Sequence, residues 1–125
     1  MILLKNANLF TPQAAGIKHL LVAAEKIIQI FDECPHLPDG IAHQTIDLQG
    51  ATLIPGFIDA HTHITGGGGE AGFSTRVPPV GLSQFTRAGV TTAVGLLGTD
   101  DTTRSTESLV AQVYALREEG LSAYC

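Results

Sequence analysis

Basic residues are scarce in this sequence. Its 125 residues include seven Lys plus Arg against twelve Asp plus Glu, and the formal net charge is −5 at pH 7. A nucleic-acid interface depends on clustered positive charge that neutralises phosphates, and no such cluster is present. The composition therefore argues against nucleic acid as a partner.

Cysteine is equally scarce, with Cys34 and Cys125 the only two. They make neither the closely spaced pair of a zinc–cysteine site nor the framework of a disulfide-stabilised domain. We expect both to be reduced thiols of a cytosolic protein.

Long hydrophobic runs are also missing. The longest apolar stretch, HLLVAAEKIIQIF, is interrupted by Glu25 and Lys26 and is shorter than the roughly 20 residues of a membrane-spanning helix. The first ten residues, MILLKNANLF, contain Lys5, Asn6 and Asn8 and lack the apolar core and small-residue cleavage site of a signal peptide. The sequence predicts a soluble, cytoplasmic protein with no membrane partner.

A hydrophobic fraction of 44% is typical of a globular protein. Residues 1–50 predict an all-β domain, in which Pro- and Gly-containing turns separate short strands. The predicted strands cover residues 1–10, 17–24, 26–31 and 44–48. His19, His36 and His43 lie in this half without the spacing of metal ligands, so we expect them on the surface.

Residues 51–125 predict a second domain, of α/β type. Its elements are an extended segment at 51–63 that Pro55 interrupts, a helix at 80–89, a buried strand at 90–97, a helix at 107–120 capped by Thr103 or Ser105, and a strand from residue 121. Alternating strands and helices are typical of a parallel sheet. Such a sheet needs helices on both faces, so we expect the front part of a longer chain. A small, unusual α/β fold is the alternative.

The segment PGFIDAHTHI, residues 55–64, carries the clearest chemical signal. Residues i and i+2 of a strand point to the same face, so His61 and His63 project together with Asp59. Two imidazoles at a strand end make half of a metal site, and the carboxylate could be a ligand or could orient an imidazole. Two histidines with no ligand role are the alternative.

The stretch LIPGFIDAHTHI resembles the signature of the amidohydrolase superfamily, whose members are metal-dependent hydrolases. Pro55, Gly56, Asp59, His61 and His63 stand at the positions of that motif. The resemblance implies that the two histidines bind one metal at the end of the first strand of a (β/α)8 barrel. It also implies that the N-terminal strands belong to a small β-sandwich domain that precedes the barrel.

Two further stretches, HTHITGGGGEAGFSTR and AGVTTAVGLLGTDDTTRSTESL, are similar to the isoaspartyl (β-aspartyl) dipeptidase branch. This resemblance implies hydrolysis of β-aspartyl dipeptides, two zinc ions bridged by a carboxylated lysine, and a homo-oligomer, in that branch an octamer. The lysine, the other metal histidines and the catalytic aspartate of the branch lie on later barrel strands. We therefore expect no catalytic residue within this chain, and no activity from it alone.

The same resemblance implies that Gly68, Gly69, Glu70 and Thr99 contact substrate. Glycines let a backbone approach a ligand closely; the alternative is a flexible surface loop. Glu70 would meet the free α-amino group of the substrate, and the Thr99 hydroxyl would hydrogen bond to it; the alternatives are a solvated glutamate and a turn residue. Four other charged residues are expected to be solvated turn residues, caps or surface charges: Arg76, Asp100, Asp101 and Arg104.

Two other functions stay open at this point. One is another amidohydrolase activity, such as that of a dihydroorotase or hydantoinase. The run of four glycines before Glu70 argues against it, because those substrates have no free α-amine. The other is an inactive remnant that keeps two metal ligands.

Overall fold

The computed structural model describes all 125 residues. It divides into two compact units, Met1–Pro55 and Gly56–Cys125. The boundary expected from the sequence, after Gly50, lies before this division. Thr52–Leu53 form a short strand that pairs with the first strand of the chain, and this pairing ties the segment to the N-terminal unit.

The N-terminal unit is a single sheet. Its strands are β1 (Ile2–Phe10), β2 (Ala14–Ala23), β3 (Lys26–Phe31), β4 (Gln44–Asp47) and β5 (Thr52–Leu53). The order is β3-β2-β1-β4, with β5 also paired to β1. The first three strands are antiparallel, whereas β4 and β5 run parallel to β1. Its buried apolar residues are Leu3, Ala7, Leu9 and Leu20.

His19 is not the surface residue that the sequence predicted; it is only 6% exposed. The pairing of β1 with β2 shifts register between Leu4 and Ala7, and Asn6 has a φ of 55° there. This irregularity frees the Asn6 backbone N–H, which donates to His19 Nδ1 over 3.3 Å. The imidazole of His19 is therefore buried, and it accepts the hydrogen bond of the Asn6 N–H at this irregular point of the strand.

The C-terminal unit alternates strands and helices as predicted. It contains β6 (Phe57–Thr62), a 3-10 turn (Phe73–Thr75), α1 (Leu82–Arg87), β7 (Val90–Gly95), α2 (Thr106–Glu118) and β8 (Ser122–Tyr124). The three strands form a parallel sheet in the order β6-β7-β8. Parallel neighbours end at the same edge of a sheet, so the segments that follow β6 and β7 meet.

Helix α2 anchors the core of this unit. Ser105 caps it, because the Ser105 hydroxyl accepts from the Ser108 backbone N–H over 3.3 Å. The helix buries a stripe made of Leu109, Val113 and Leu116. The stripe packs in one cluster with Ile64, Phe85, Ala93, Leu121 and Ala123. The cluster fixes Ile64, which comes after His63 just beyond β6, and thereby the start of the loop that follows the strand.

Two further observations concern the cysteines and the helices. Cys34 and Cys125 are exposed free thiols. Neither α-helix combines the length and the hydropathy that a membrane crossing requires.

Candidate functional site

The candidate site lies where the loops after β6 and β7 meet. The first loop carries His63, the glycine segment 66–69 and Glu70; the second carries Thr99 and Arg104. Direct hydrogen bonds join the two loops. The sequence-predicted site residues are therefore neighbours, although the residues that these bonds join are 29 to 39 positions apart in the chain.

His61 and His63 form a pair at the end of β6. Their ring centroids are 5.4 Å apart and the rings are nearly perpendicular, at 87°. His63 Nδ1 lies 3.4 Å from the carbonyl oxygen of Leu96. A carbonyl can only accept, so a hydrogen bond at this contact would come from Nδ1–H and would leave the lone pair of His63 Nε2 free. The Leu96 contact could not be predicted from residue type, because it uses a backbone atom.

The donor chemistry of this pair suits a metal such as zinc, which binds imidazole nitrogen. No third His, Cys, Asp or Glu joins His61 and His63 in a group that could hold a metal ion. Asp59 directs its Oδ1 to the backbone N–H of His61, at 3.1 Å. The carboxylate therefore supports the strand end, and the two imidazoles alone are fewer than the three or four donors that a zinc site uses.

The glycine segment is packed against backbone. Gly66 and Gly68 have φ values of +94° and +71°, which disfavour residues with a side chain. A Cβ on Gly66 would also collide with the Val77 carbonyl oxygen, and one on Gly68 with that of Thr75. A Cβ on Gly67 would lie 3.7 Å from His63 Cβ. The segment is therefore a fitted loop beside His63.

Glu70 and Thr99 contact each other across the two loops. The Thr99 hydroxyl donates to Glu70 Oε1 over 3.0 Å and lies 3.5 Å from the Gly68 carbonyl oxygen. The pKa of the Glu70 carboxyl is lowered from its ordinary value, first by the Glu70 backbone N–H and then by the Thr99 hydroxyl. Glu70 is exposed, so it presents a charged carboxylate to a ligand at neutral pH.

Replacing Thr99 with valine is expected to raise the pKa of Glu70 towards its ordinary value. The hydroxyl stabilises the charged carboxylate, and the near-isosteric valine cannot donate. NMR titration of the Glu70 side-chain carbonyl carbon measures the change. Thr99→Ser keeps the hydroxyl and is the matched control, with a smaller shift. An unchanged Glu70 pKa in Thr99→Val would contradict the assignment of this hydrogen bond.

Arg104 corrects a second prediction, because it is not a surface charge. Its side chain is 9% exposed. Nε donates to the Thr65 carbonyl over 2.9 Å, Nη1 to that of Gly67 over 3.2 Å, and Nη2 to that of Val77 over 2.8 Å. The guanidinium thus ties the loop after β7 to the loop after β6.

Asp100 is a turn residue, as predicted, but it is not solvated. Its side chain is 2% exposed and accepts from the backbone N–H groups of Thr102 and Thr103, at 3.2 and 3.0 Å, and from the Thr103 hydroxyl. Those Thr103 contacts are the main reason that the pKa of Asp100 is lowered. The Arg76 side chain is 39% exposed, and its Nη1 lies 3.9 Å from Asp100 Oδ2. Arg76 therefore agrees better than Arg104 with the prediction of a surface charge. Asp101 is exposed.

Comparisons with known proteins agree on the kind of protein. The model of the amidohydrolase family matches residues 44–109. Two crystal structures of β-aspartyl dipeptidase from Fervidobacterium islandicum AW-1, one in complex with a β-Asp-Leu dipeptide, are each 43% identical to this chain over 98% of its length. Their TM-scores are 0.88 and 0.89.

Curated relatives include a second kind of enzyme. Imidazolonepropionase from Burkholderia ambifaria is 38% identical over 92 residues, which is 70% of this chain, and the enzyme from Burkholderia multivorans is 35% identical over 95 residues. The chain spans 22% of the first of these relatives and about a third of the dipeptidase chains.

Proposed function

Because the chain belongs to the amidohydrolase family, we propose that it forms the N-terminal part of a metal-dependent dipeptidase that hydrolyses β-aspartyl dipeptides. The observation that carries this proposal is the Thr99–Glu70 hydrogen bond beside His63 and the glycine segment. It holds a carboxylate near two potential metal ligands. The 43% identity to β-aspartyl dipeptidases over 98% of the chain supports the same reading.

The fold that accompanies this function is the start of a (β/α)8 barrel. In this proposal β6, β7 and β8 are its first three strands, and β1–β5 belong to a small β-sandwich domain. Phe57 and Ile58 on β6 are 56% and 70% exposed. Apolar side chains on a strand of a parallel sheet are normally covered, and the later units of a barrel would cover them. Cytoplasmic location and assembly into a homo-oligomer stay predictions.

In the complete protein, His61 and His63 would hold zinc together with ligands outside this chain, among them a carboxylated lysine bridging two ions. Zinc supplies a nucleophile at neutral pH and polarises a carbonyl. The Leu96 carbonyl, 3.4 Å from His63 Nδ1, would favour the tautomer with its proton on Nδ1, and Nε2 would then be available as a ligand atom.

The substrate end of the site is built by this chain's own loops. A β-aspartyl residue carries a free α-ammonium, and Glu70 supplies a carboxylate to bind it. Thr99 orients that carboxylate and keeps it charged. Gly68 and Gly69 let the backbone approach the ligand without a Cβ in the way. These groups orient the peptide bond towards the metal side of the site.

Imidazolonepropionate is the second candidate substrate, and the 38% identity to imidazolonepropionase favours it. An imidazolone ring is a cyclic amide that metal-assisted hydrolysis could open. It has no α-ammonium group, so Glu70 would have no partner in the bound state. The charged, oriented Glu70 therefore favours the dipeptide.

A substrate panel separates the two functions. We expect the full-length, zinc-loaded protein to hydrolyse β-Asp-Leu at least about 100-fold more efficiently, in kcat/KM, than α-Asp-Leu or imidazolonepropionate. Imidazolonepropionate has no ammonium group for Glu70, and in α-Asp-Leu the ammonium stands one carbon closer to the scissile carbonyl, so the charged groups of the site would be left unpaired or misaligned. Steady-state kinetics with the three compounds measure this. Opening of imidazolonepropionate without cleavage of the dipeptide would refute the proposed function and support the second.

A further inference from the structure

The guanidinium of Arg104 links the two loops of the site at their buried end. It donates to three backbone carbonyls, those of Thr65, Gly67 and Val77. A guanidinium is planar and its N–H groups point in fixed directions, so three bonds to it fix the orientation of the acceptors as well as their distance. A lysine ammonium is compact and cannot span these three positions.

Two of the carbonyls that Arg104 holds lie in the glycine segment or directly before it. Those of Thr65 and Gly67 flank Gly66, whose φ of +94° sets the bend of the loop. The Gly67 carbonyl also accepts from the Val77 backbone N–H over 2.8 Å. The glycine segment lies between His63 and Glu70 in the chain. Its conformation therefore decides where the Glu70 carboxylate stands relative to the two histidines.

Asp100 completes the link. Its Oδ2 lies 3.8 Å from Arg104 Nη1, and both side chains are buried. A Cβ placed on Gly69 would lie 3.5 Å from Asp100 Cβ, so Asp100 packs directly against the residue before Glu70. Asp100 also follows Thr99, which donates to Glu70. The two loops are thus joined through the Arg104 guanidinium, which Asp100 supports from its own loop, and also through Thr99–Glu70.

We propose that Arg104, supported by Asp100, is a positioning residue that orients the glycine segment and thereby sets the preference of the enzyme for substrates with a free α-amine. This inference rests on the proposed dipeptidase function. Arg104 does not touch the substrate; it acts through Glu70. A residue that only stabilised the fold would affect all substrates alike, whereas a residue acting through Glu70 affects the amine selectively.

Arg104→Lys in the full-length, zinc-loaded protein tests this with two substrates. One is β-Asp-Leu, and the other is succinyl-leucine, the same amide without the α-amine. We expect kcat/KM to fall by about 10-fold for β-Asp-Leu, within the ~100-fold that a 1 Å misplacement can cost, and by less than about 2-fold for succinyl-leucine. Arg87→Lys, in an exposed position on α1, is the matched control and should change neither.

A double-mutant cycle shows whether the effect passes through Glu70. In a Glu70→Gln background, Arg104→Lys should have little further effect on β-Asp-Leu, because the carboxylate that it positions is already gone. Two outcomes would overturn the proposal and leave a purely structural arginine. One is an equal loss of kcat/KM for both substrates. The other is that Arg104→Lys lowers kcat/KM for β-Asp-Leu as much in the Glu70→Gln background as in the wild-type protein.

Asp100→Asn covers the case in which Arg104→Lys does not fold or loses metal. It keeps the side-chain shape and an acceptor oxygen but removes the charge opposite Arg104. We expect the preference for β-Asp-Leu over succinyl-leucine to fall by about 3-fold, and an unchanged preference would overturn the proposal. A wild-type protein that does not cleave β-Asp-Leu would instead refute the proposed function, which separates the two failures.

Discussion

Replacing His61 with alanine in the full-length protein is expected to remove bound zinc and dipeptide hydrolysis together. A zinc site needs three or four donors, and in the proposed function this chain supplies two of them, from alternate positions at the end of one strand. Loss of a group that only supports a ligand costs about 10–100-fold in metal affinity or activity, and loss of a ligand should exceed that. Metal analysis and kcat/KM for β-Asp-Leu, measured on the same preparation, test this.

His36→Ala is the matched control, because His36 is an exposed histidine in the N-terminal unit. It should keep both zinc and activity. Full zinc occupancy and normal turnover in His61→Ala would show that His61 is not a zinc ligand, and would remove the histidine pair from the proposed metal site.

Replacing Glu70 with glutamine is expected to lower kcat/KM for β-Asp-Leu by about 30-fold or more while zinc content stays normal. Glutamine keeps the size of the side chain and can still accept from the Thr99 hydroxyl. It removes the negative charge, so the α-ammonium of the bound substrate would be left without its counter-ion. Steady-state kinetics beside metal analysis separate this effect from that of His61.

Two comparisons sharpen the Glu70 experiment. Succinyl-leucine has no α-amine, so its hydrolysis should be nearly unaffected by Glu70→Gln. Glu118→Gln, at the exposed end of α2, should leave both substrates unaffected. An unchanged kcat/KM for β-Asp-Leu in Glu70→Gln would mean that Glu70 does not bind the amine. That result would favour imidazolonepropionate, the second candidate substrate.

Much of this site follows from local sequence rules. The i, i+2 geometry of a strand puts His61 and His63 at one end of β6, and the alternation of strands and helices brings the loop after β7 alongside. The glycine run was an ambiguous signal, because Gly66–Gly69 fit a flexible loop as well as a fitted one. The positive φ values and the nearby carbonyls of Thr75 and Val77 decide between them.

Arg104 and His19 mark the limit of such reasoning. Arg104 sits in the polar stretch GTDDTTRST, where no periodicity indicates burial, and its acceptors are backbone carbonyls up to 39 positions away. His19 is buried because a register shift in the opposite strand exposes the N–H of Asn6. In both cases the partner is a main-chain atom whose direction depends on tertiary structure, which residue type does not encode.

The glycine segment also has a consequence for the thermodynamics of binding. Glycine loses more conformational entropy on ordering than any other residue, and a loop with several glycines would normally lose that entropy when a ligand arrives. Here the carbonyls of Thr65 and Gly67 are already fixed by Arg104. The ordering cost is therefore met during folding, and the free loop is preorganised. Binding of a dipeptide should then carry only a small entropic penalty from this segment.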